Sequence, residues 1–229
     1  MRIVQTVFFA LATVVALGLP SQAPAAFITS ASGVTDPSVT IDFSQFTSTV
    51  DGPGPVQIGG LIDRDVTWES EYPALLYNGE YRFDANGLWD SGRTGYSGLN
   101  ASYGTMTYRF LDRPVSQVGG FVNYAPGPLY APYVLIEALA QDGTVLESHD
   151  VLSLAPISTP DATNEGAFRG ITRATADIYA FRVSNSYVAL DDLKFSNGAG
   201  PPSVATPLPG TVVLAAFGFV GIALRRARR

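Results

Sequence analysis

Three acidic residues have the types and spacing that a calcium site requires. Asp191 and Asp192 are adjacent in the last predicted strand, where the apolar positions change parity between Leu190 and Leu193. A parity change through two acids predicts a β-bulge, which aims neighbouring oxygens at one place. Calcium accepts about six to eight oxygen ligands, so Asp42 from the first long strand is a candidate third carboxylate. The alternative is that both acids of the last strand face solvent.

Aromatic residues beside Asn and Asp form a second kind of candidate site, because sugar rings stack on aromatic faces. Trp89 and Tyr96 lie in a stretch rich in Gly, Asn and Ser, and Tyr103 follows that stretch. Tyr124 and Tyr130 flank a Pro/Gly segment. These residues predict a carbohydrate site, and the alternative for each ring is packing in the core or within its own loop.

Side chains suited to catalysis are scarce. The chain has no cysteine and a single histidine, His149, so a nucleophile triad and a Cys/His zinc site both lack material. Carboxylate pairs such as Glu69 with Glu71, or Glu137 with Glu147 across a hairpin, have the chemistry of a glycosidase. Pairs of acids on one face occur on any acidic sheet, so we predict that the protein is not an enzyme.

Strands are the elements that must position these residues. β-branched and aromatic residues alternate with polar ones between Gly, Pro and Asn/Asp clusters, and no long stretch has helical apolar spacing. The sequence therefore predicts an all-β sandwich or jelly roll, with Trp68 in its core. The predicted strands are 39–46, 66–70, 104–111, 115–124, 133–141, 144–151, 168–172, 178–184 and 188–195.

Turn-forming residues predict the connections. Asp142-Gly143 favours a two-residue type I′ hairpin, because that turn needs positive φ at both central positions. Neither face of the strand after it is cleanly apolar, which predicts a position at a sheet edge. The Gly/Asn/Ser-rich segment 84–102 and the segment 155–166 are predicted to be long surface loops.

The N-terminus has the order of a secretory signal peptide. Arg2 precedes an apolar run over 7–19, and the small-residue stretch Ala23-Pro24-Ala25 follows. We predict a signal helix in residues 1–25 and cleavage after Ala25. A retained anchor is the alternative, although the apolar run is shorter than the roughly 20 residues of a spanning helix.

The C-terminus has the reverse order. A Gly/Pro-rich linker over 198–210 leads to a short apolar helix within 211–229, which ends in the basic cluster Arg225, Arg226, Arg228 and Arg229. Basic residues beside an apolar segment stay in the cytoplasm, so the preceding chain is predicted to lie outside. The apolar stretch 211–224 would be about 21 Å long as a helix, below the roughly 30 Å of the hydrocarbon core, which suits a temporary anchor.

The part between these ends, 26–197, is predicted to be one domain and is strongly acidic. The full chain has a formal net charge of −6. All 20 acidic residues lie between the two ends, whereas five of the 14 basic residues do not, which gives the middle a net charge of −11. This charge argues against binding to nucleic acid or anionic lipid, and it is compatible with cations and neutral polysaccharides.

The C-terminal motif resembles a known sorting signal. Thr206-Pro207-Leu208-Pro209-Gly210, followed by a short apolar helix and terminal arginines, is similar to the VPLPA variant of the PEP-CTERM family. That variant has Val and Ala where this chain has Thr206 and Gly210. The resemblance implies an exosortase-type membrane enzyme that cleaves near the proline motif. It also implies a transient stay in the inner membrane, and then the cell surface or matrix of a Gram-negative-type bacterium.

The middle part resembles the jelly-roll domains that precede such tails, through short motifs within residues 39–196. The resemblance implies a sandwich similar in shape to carbohydrate-binding modules, in which calcium can sit where the final strand meets the first. The predicted function is a non-enzymatic exported protein of the cell surface or exopolysaccharide matrix. The alternatives are a carbohydrate-binding module with a specific glycan and, third, a glycan-active enzyme.

Overall fold

The computed structural model describes residues 25–35, 38–71, 74–78, 80–89, 95–127, 129–130, 132–160, 163–164 and 166–196. The predicted signal peptide as far as Pro24 lies outside these residues. So do the last ectodomain position, 197, the predicted linker over 198–210 and the predicted apolar helix and arginine cluster within 211–229. A search of the described residues finds no helix with the length and apolarity to cross a membrane.

Strands make up nearly all the regular structure of the described residues. The one α-helix, α1, is Val151–Leu154, and short 3₁₀ turns occur at Ala31–Gly33, Gly60–Ile62 and Asp84–Asn86. The strands are β1 Ala26–Ile28, β2 Ser38–Ile41, β3 Val50–Asp51, β4 Val56–Gln57, β5 Val66–Ser70, β6 Ala74–Asn78, β7 Tyr81–Arg82, β8 Leu88–Trp89, β9 Gly95–Leu99, β10 Thr105–Phe110, β11 Gln117–Asn123, β12 Leu135–Leu139, β13 Val145–Asp150, β14 Thr163–Asn164, β15 Ala167–Thr172, β16 Ala180–Ser184 and β17 Ala189–Ser196.

Two sheets enclose the main core. The large sheet has the order β1-β15-β11-β17-β9-β6-β3, with β2 also paired to β17, and the six-stranded sheet has the order β13-β12-β16-β10-β5-β4. The core joins Trp68, Tyr108 and Phe181 of the six-stranded sheet to Leu190 and Phe195 of the large sheet. The all-β prediction is confirmed, and a small third sheet, β14-β8-β7, lies beside the other two.

The predicted bulge in β17 is confirmed. Gly119 of β11 pairs with Lys194 and Phe121 pairs with Asp191, so one residue of β11 stands opposite two of β17. Asp192 accordingly has a positive φ of 48°. The extra residue returns Leu193 to the core side, where β17 continues the apolar face that Leu190 began.

The hairpin between β12 and β13 is confirmed, but its predicted turn type is wrong. Gly143 has a φ of 86°, whereas Asp142 is not among the residues of positive φ. The Gly143 amide donates to Ala140 O at 3.0 Å, and Ala140 N donates to Thr144 O at 2.8 Å. These bonds define a three-residue loop with glycine in the left-handed position. Strand β13 is an edge of the six-stranded sheet, as predicted.

The segment 84–102 is not simply a surface loop, which corrects the prediction. Strand β9 lies inside the large sheet, between β6 and β17. Its Gly and Ser content resembles a loop, yet Ser97 is fully buried. The Ser97 hydroxyl is hydrogen-bonded to the Tyr108 hydroxyl and to Leu190 O, so a polar residue is accommodated in the core.

Candidate functional site

The three candidate calcium ligands do not converge. Strand β2 pairs with β17 so that Ile41 faces Leu193, which brings Asp42 to the same region as the bulge. The Asp42 carboxylate, however, accepts hydrogen bonds from Ser44 N and Ser44 Oγ at 3.1 and 2.8 Å. Asp191 is buried and accepts from the Asp192 amide at 2.6 Å. In the described part of the chain no three His, Cys, Asp or Glu side chains are grouped closely enough to hold a metal ion.

The aromatic residues proposed as sugar-binding candidates differ in their exposure to solvent. Trp89 is fully buried in a small apolar cluster with Phe83, which corrects the expectation that its indole face is open to a sugar. Tyr124 is also buried, and its hydroxyl accepts from the Ile157 amide at 2.8 Å. Tyr103 is 58% exposed and remains a candidate. Tyr96 lies in β9, but its side chain is outside the described part.

The predicted pairs of carboxylates do not form catalytic pairs in the structure, because their members contact basic side chains or do not face each other across the sheet. Ser148, not Glu147, stands opposite Glu137, because the bulge in the β12–β13 pair shifts the register and Ala138 faces Glu147. Glu147 Oε1 instead lies 2.5 Å from Nε2 of His149. Glu137 and Glu69 are each bonded to an arginine of the next strand.

Three tyrosines meet at one end of the sandwich, and we call Tyr81, Tyr130 and Tyr187 the tyrosine cluster. The rings of Tyr130 and Tyr187 lie edge to face, with centroids 5.5 Å apart. The Tyr81 hydroxyl donates to Asn100 Oδ1 at 2.9 Å, and the Tyr130 hydroxyl lies 3.4 Å from Asp84 Oδ2. The three rings are half-buried, whereas the carboxylate and the amide are exposed. The cluster therefore combines aromatic faces with polar groups at the surface.

A strained turn fixes one member of this cluster. Asn185, Ser186 and Tyr187 join β16 to β17 with consecutive φ values of 72°, 63° and 49°. The left-handed region costs a non-glycine residue about 1 kcal/mol. Such strain persists only where surrounding contacts over-determine it, and it concentrates at functional sites.

Hydrogen bonds hold the strained turn on both sides. The amides of Asn185, Ser186 and Tyr187 donate to the carbonyls of Gly104, Ser102 and Ala101, at 3.0, 2.9 and 2.9 Å. On the other side, the Ser186 hydroxyl donates to Ala125 O at 2.8 Å, and the Ala125 amide returns a bond to Ser186 O at 3.2 Å. The turn thus connects the segment 101–104 to the segment that carries Tyr130.

A series of aromatic contacts joins the tyrosine cluster to the buried core beside it. The Tyr81 and Phe83 rings lie 5.0 Å apart, and Phe83 contacts the buried Trp89 ring at 5.6 Å. Asn86 fixes the neighbouring Asp84–Asn86 turn. Its side-chain amide donates hydrogen bonds to Tyr124 O at 3.0 Å and to Ile157 O at 3.2 Å. Trp89 therefore contributes to the site as a support.

A buried arginine holds the neighbouring loop in place. Arg169 Nε and Nη2 both donate to Ala155 O, at 3.0 and 2.6 Å, and Nη1 donates to Phe168 O at 2.7 Å. Burial lowers the pKa of this guanidinium, and the nearby Tyr124 partly offsets that effect. The carbonyl bonds compensate the buried donors and fix the start of the 155–160 loop.

The local environment keeps the phenols neutral. Burial, together with the neighbouring Tyr187 and Tyr130, raises the pKa of Tyr81 to about 12. The pKa of Tyr130 is also raised, by desolvation and then by the adjacent Asp84. At neutral pH the cluster therefore presents hydroxyl groups that both donate and accept hydrogen bonds.

Of the three rings, the sequence pattern indicated Tyr130 but not Tyr81 or Tyr187. Tyr81 lies in a two-residue strand, and Tyr187 follows a polar Asn-Ser pair between two apolar strands. That Asn-Ser pair is a turn signal. It does not indicate three consecutive left-handed residues, because the conformation is imposed by bonds to segments far away in sequence.

Comparison with known proteins adds no relative. No protein-family model, no curated protein and no solved structure matches the chain.

The strain at Ser186 is testable by paired substitutions. Ser186→Gly and Ser186→Ala both remove the bond to Ala125 O, but only alanine keeps a Cβ in the left-handed conformation. We expect the free energy of unfolding, measured by urea denaturation, to be about 1 kcal/mol higher for the glycine variant than for the alanine variant. The same pair at the exposed strand residue Ser148 should give the opposite order. An alanine variant at 186 that is more stable than the glycine variant would contradict the strained turn.

The raised pKa of Tyr81 predicts a pH dependence of stability. Between the ordinary pKa of 10.0 and the folded-state pKa of about 12, the unfolded chain loses its phenolic proton more readily, so this residue's stabilisation declines as the pH rises. Tyr81→Phe should therefore lose less unfolding free energy across this range than the wild type. Equal slopes for Tyr81→Phe and wild type would refute the assignment.

Proposed function

We propose that the chain is a non-enzymatic exported protein, sorted by its C-terminal tail to the cell surface or the exopolysaccharide matrix. An exosortase-type enzyme of the inner membrane would be its processing partner. The observation that carries the proposal is the pairing of a signal-type N-terminus with the Pro-Leu-Pro motif, apolar stretch and arginines of the tail.

The extent of the fold supports this proposal. Strand β1 begins at Ala26, directly after the predicted cleavage site, and β17 ends at Ser196, two residues before the Gly/Pro-rich linker begins. Removal of both predicted signals would therefore leave every strand of the described residues intact. The finer fold that we propose for this part is a jelly roll, in which antiparallel strands of two sheets share one core.

Glycan binding at the tyrosine cluster is the second candidate function. Aromatic rings supply faces for sugar stacking, and Asp84 and Asn100 supply exposed partners for hydroxyl groups. The neutral phenols and the acidic surroundings favour an uncharged polysaccharide over an anionic one. Preorganisation of Tyr187 by the strained turn reduces the entropy lost on binding.

Mass spectrometry of the protein isolated from its native host tests the sorting proposal. The mature extracellular form should begin at Ala26 and should lack the terminal segment from Thr211 to Arg229, because both ends are predicted to be removed. A secreted control without a tail motif should keep its C-terminus. Recovery of Arg229 on the extracellular form would refute sorting by tail cleavage.

Alanine substitution tests glycan binding at the tyrosine cluster. Tyr130→Ala or Tyr187→Ala should weaken binding to a neutral polysaccharide about twofold to tenfold, which corresponds to roughly 0.5–1.5 kcal/mol per aromatic contact. Tyr179→Ala, at the opposite end of β16, is the matched control and should bind as wild type. The measurement is affinity electrophoresis against a panel of neutral polysaccharides. Unchanged mobility of Tyr187→Ala, or no binding by wild type, would contradict this function.

A further inference from the structure

The outer face of the six-stranded sheet carries a groove that is separate from the tyrosine cluster. Its volume is about 220 Å³. Thr107 and Leu139 contribute to its lining, the loop Pro53–Pro55 forms one wall, and Gly143 of the β12–β13 hairpin lies on the other side. Thr107 is only 5% exposed although it is on the face turned away from the core. The flanking turns therefore recess the sheet surface.

A row of polar side chains crosses this groove in register. Glu137 of β12 stands opposite Arg182 of β16, and Arg182 stands opposite Thr107 of β10. Thr107 in turn faces Glu69 of β5. Because partners in adjacent strands point to the same face, these four side chains form one continuous line.

Two ion pairs flank the central threonine. Arg182 Nε donates to Glu137 Oε2 at 2.7 Å, and Arg109 Nε donates to Glu69 Oε1 at 2.6 Å. Each arginine uses one nitrogen in these bonds, so the ends of both guanidinium groups retain donors. The second oxygen of each carboxylate retains acceptor capacity in the same way.

Thr107 Oγ1 is not among the fully buried polar atoms of the described residues that lack a hydrogen-bond partner. The hydroxyl is therefore accessible from the groove, where solvent or a ligand can bond to it. The group opens into the groove between the two ion pairs. A ligand hydroxyl placed there would satisfy it.

The charges of the groove select the chemical class of that ligand. An anion would meet Glu69, Glu71 and Glu137 as well as the overall negative charge of the domain, and a cation would compete with the arginines for paired carboxylates. An uncharged polyol can bond to the spare donors and acceptors without breaking either ion pair. The groove is smaller than the roughly 300–1,000 Å³ of drug-sized pockets, so it suits one sugar ring.

The geometry points to this groove as a second binding site, for a single neutral sugar ring held by hydrogen bonds to Thr107, Arg109 and Arg182. No aromatic residue of the described ranges lines it, so the described lining would hold the ring through its hydroxyls. The wall packs closely on β5, because a Cβ on Gly54 would lie 2.5 Å from Trp68 O, which excludes other residues there. This inference requires neither the sorting tail nor the tyrosine cluster.

Isothermal titration calorimetry of the full chain in mild detergent tests the site, with glucose, galactose, mannose and cellobiose as probes. We expect at least one of these sugars to bind with a Kd of about 1 mM or tighter, and glucuronate to bind more weakly. Thr107→Val should weaken the binding about fivefold by removing one hydrogen bond. Thr40→Val, the same change at an exposed position of β2, should have no effect.

Two further variants distinguish a failure to fold and binding at the tyrosine cluster from binding in the groove. Arg109→Gln, which removes another of the three proposed donors, serves if Thr107→Val does not fold. Tyr187→Ala should bind the same sugar as wild type. Absence of binding by all four neutral sugars, tighter binding of glucuronate, or wild-type affinity in the folded groove variant would overturn the groove site. Loss of binding in Tyr187→Ala alone would also overturn it, while supporting the glycan function of the tyrosine cluster.

Discussion

The left-handed turn between β16 and β17 is the constraint on which the loop end of the sandwich depends. Its three amides bond to the segment 101–104, and Ser186 bonds to Ala125 on the other side. Non-glycine residues adopt this conformation at a cost, so the bonds must offset about 1 kcal/mol at each position. Without the turn, Tyr187 would lose its fixed position beside Tyr130, and the two loop segments would lose their shared anchor.

The turn is effective because β16 and β17 belong to different sheets. Strand β16 lies within the six-stranded sheet and β17 within the large one, so the turn joins the two layers at one end. Strand β17 has neighbours on both edges, since β11 pairs along one and both β2 and β9 share the other. The bulge at Asp191 and Asp192 lets this central strand keep Leu190 and Leu193 in the same core.

Much of this architecture could be predicted from local patterns. Strand β5 begins and ends where the alternation of Val66 to Ser70 predicts, and the parity change in β17 correctly indicates the bulge. Strand β9 was missed because its Gly-Tyr-Ser-Gly-Leu sequence has the composition of a loop, and its place inside the sheet comes from partners distant in sequence. Local composition carries no information on such pairings.

The candidate sites were less predictable than the strands, for the same reason. Trp89 lies in a polar segment that suggested exposure, but Phe83 covers it. The tyrosine cluster draws its rings from β7, from the segment after β11 and from the turn before β17. The polar groove required the register of four strands. Each site depends on long-range packing, which single-residue types and spacings do not specify.

The tyrosine cluster is the feature that links this fold to the proposed life of the protein among polysaccharides. A crystal structure of the protein grown with a neutral oligosaccharide from the matrix of its native host tests that link most directly. We predict a sugar ring in contact with the ring of Tyr130 or Tyr187, with its hydroxyl groups bonded to Asp84 or Asn100. An oligosaccharide bound to the protein that leaves all of these side chains uncontacted would contradict it.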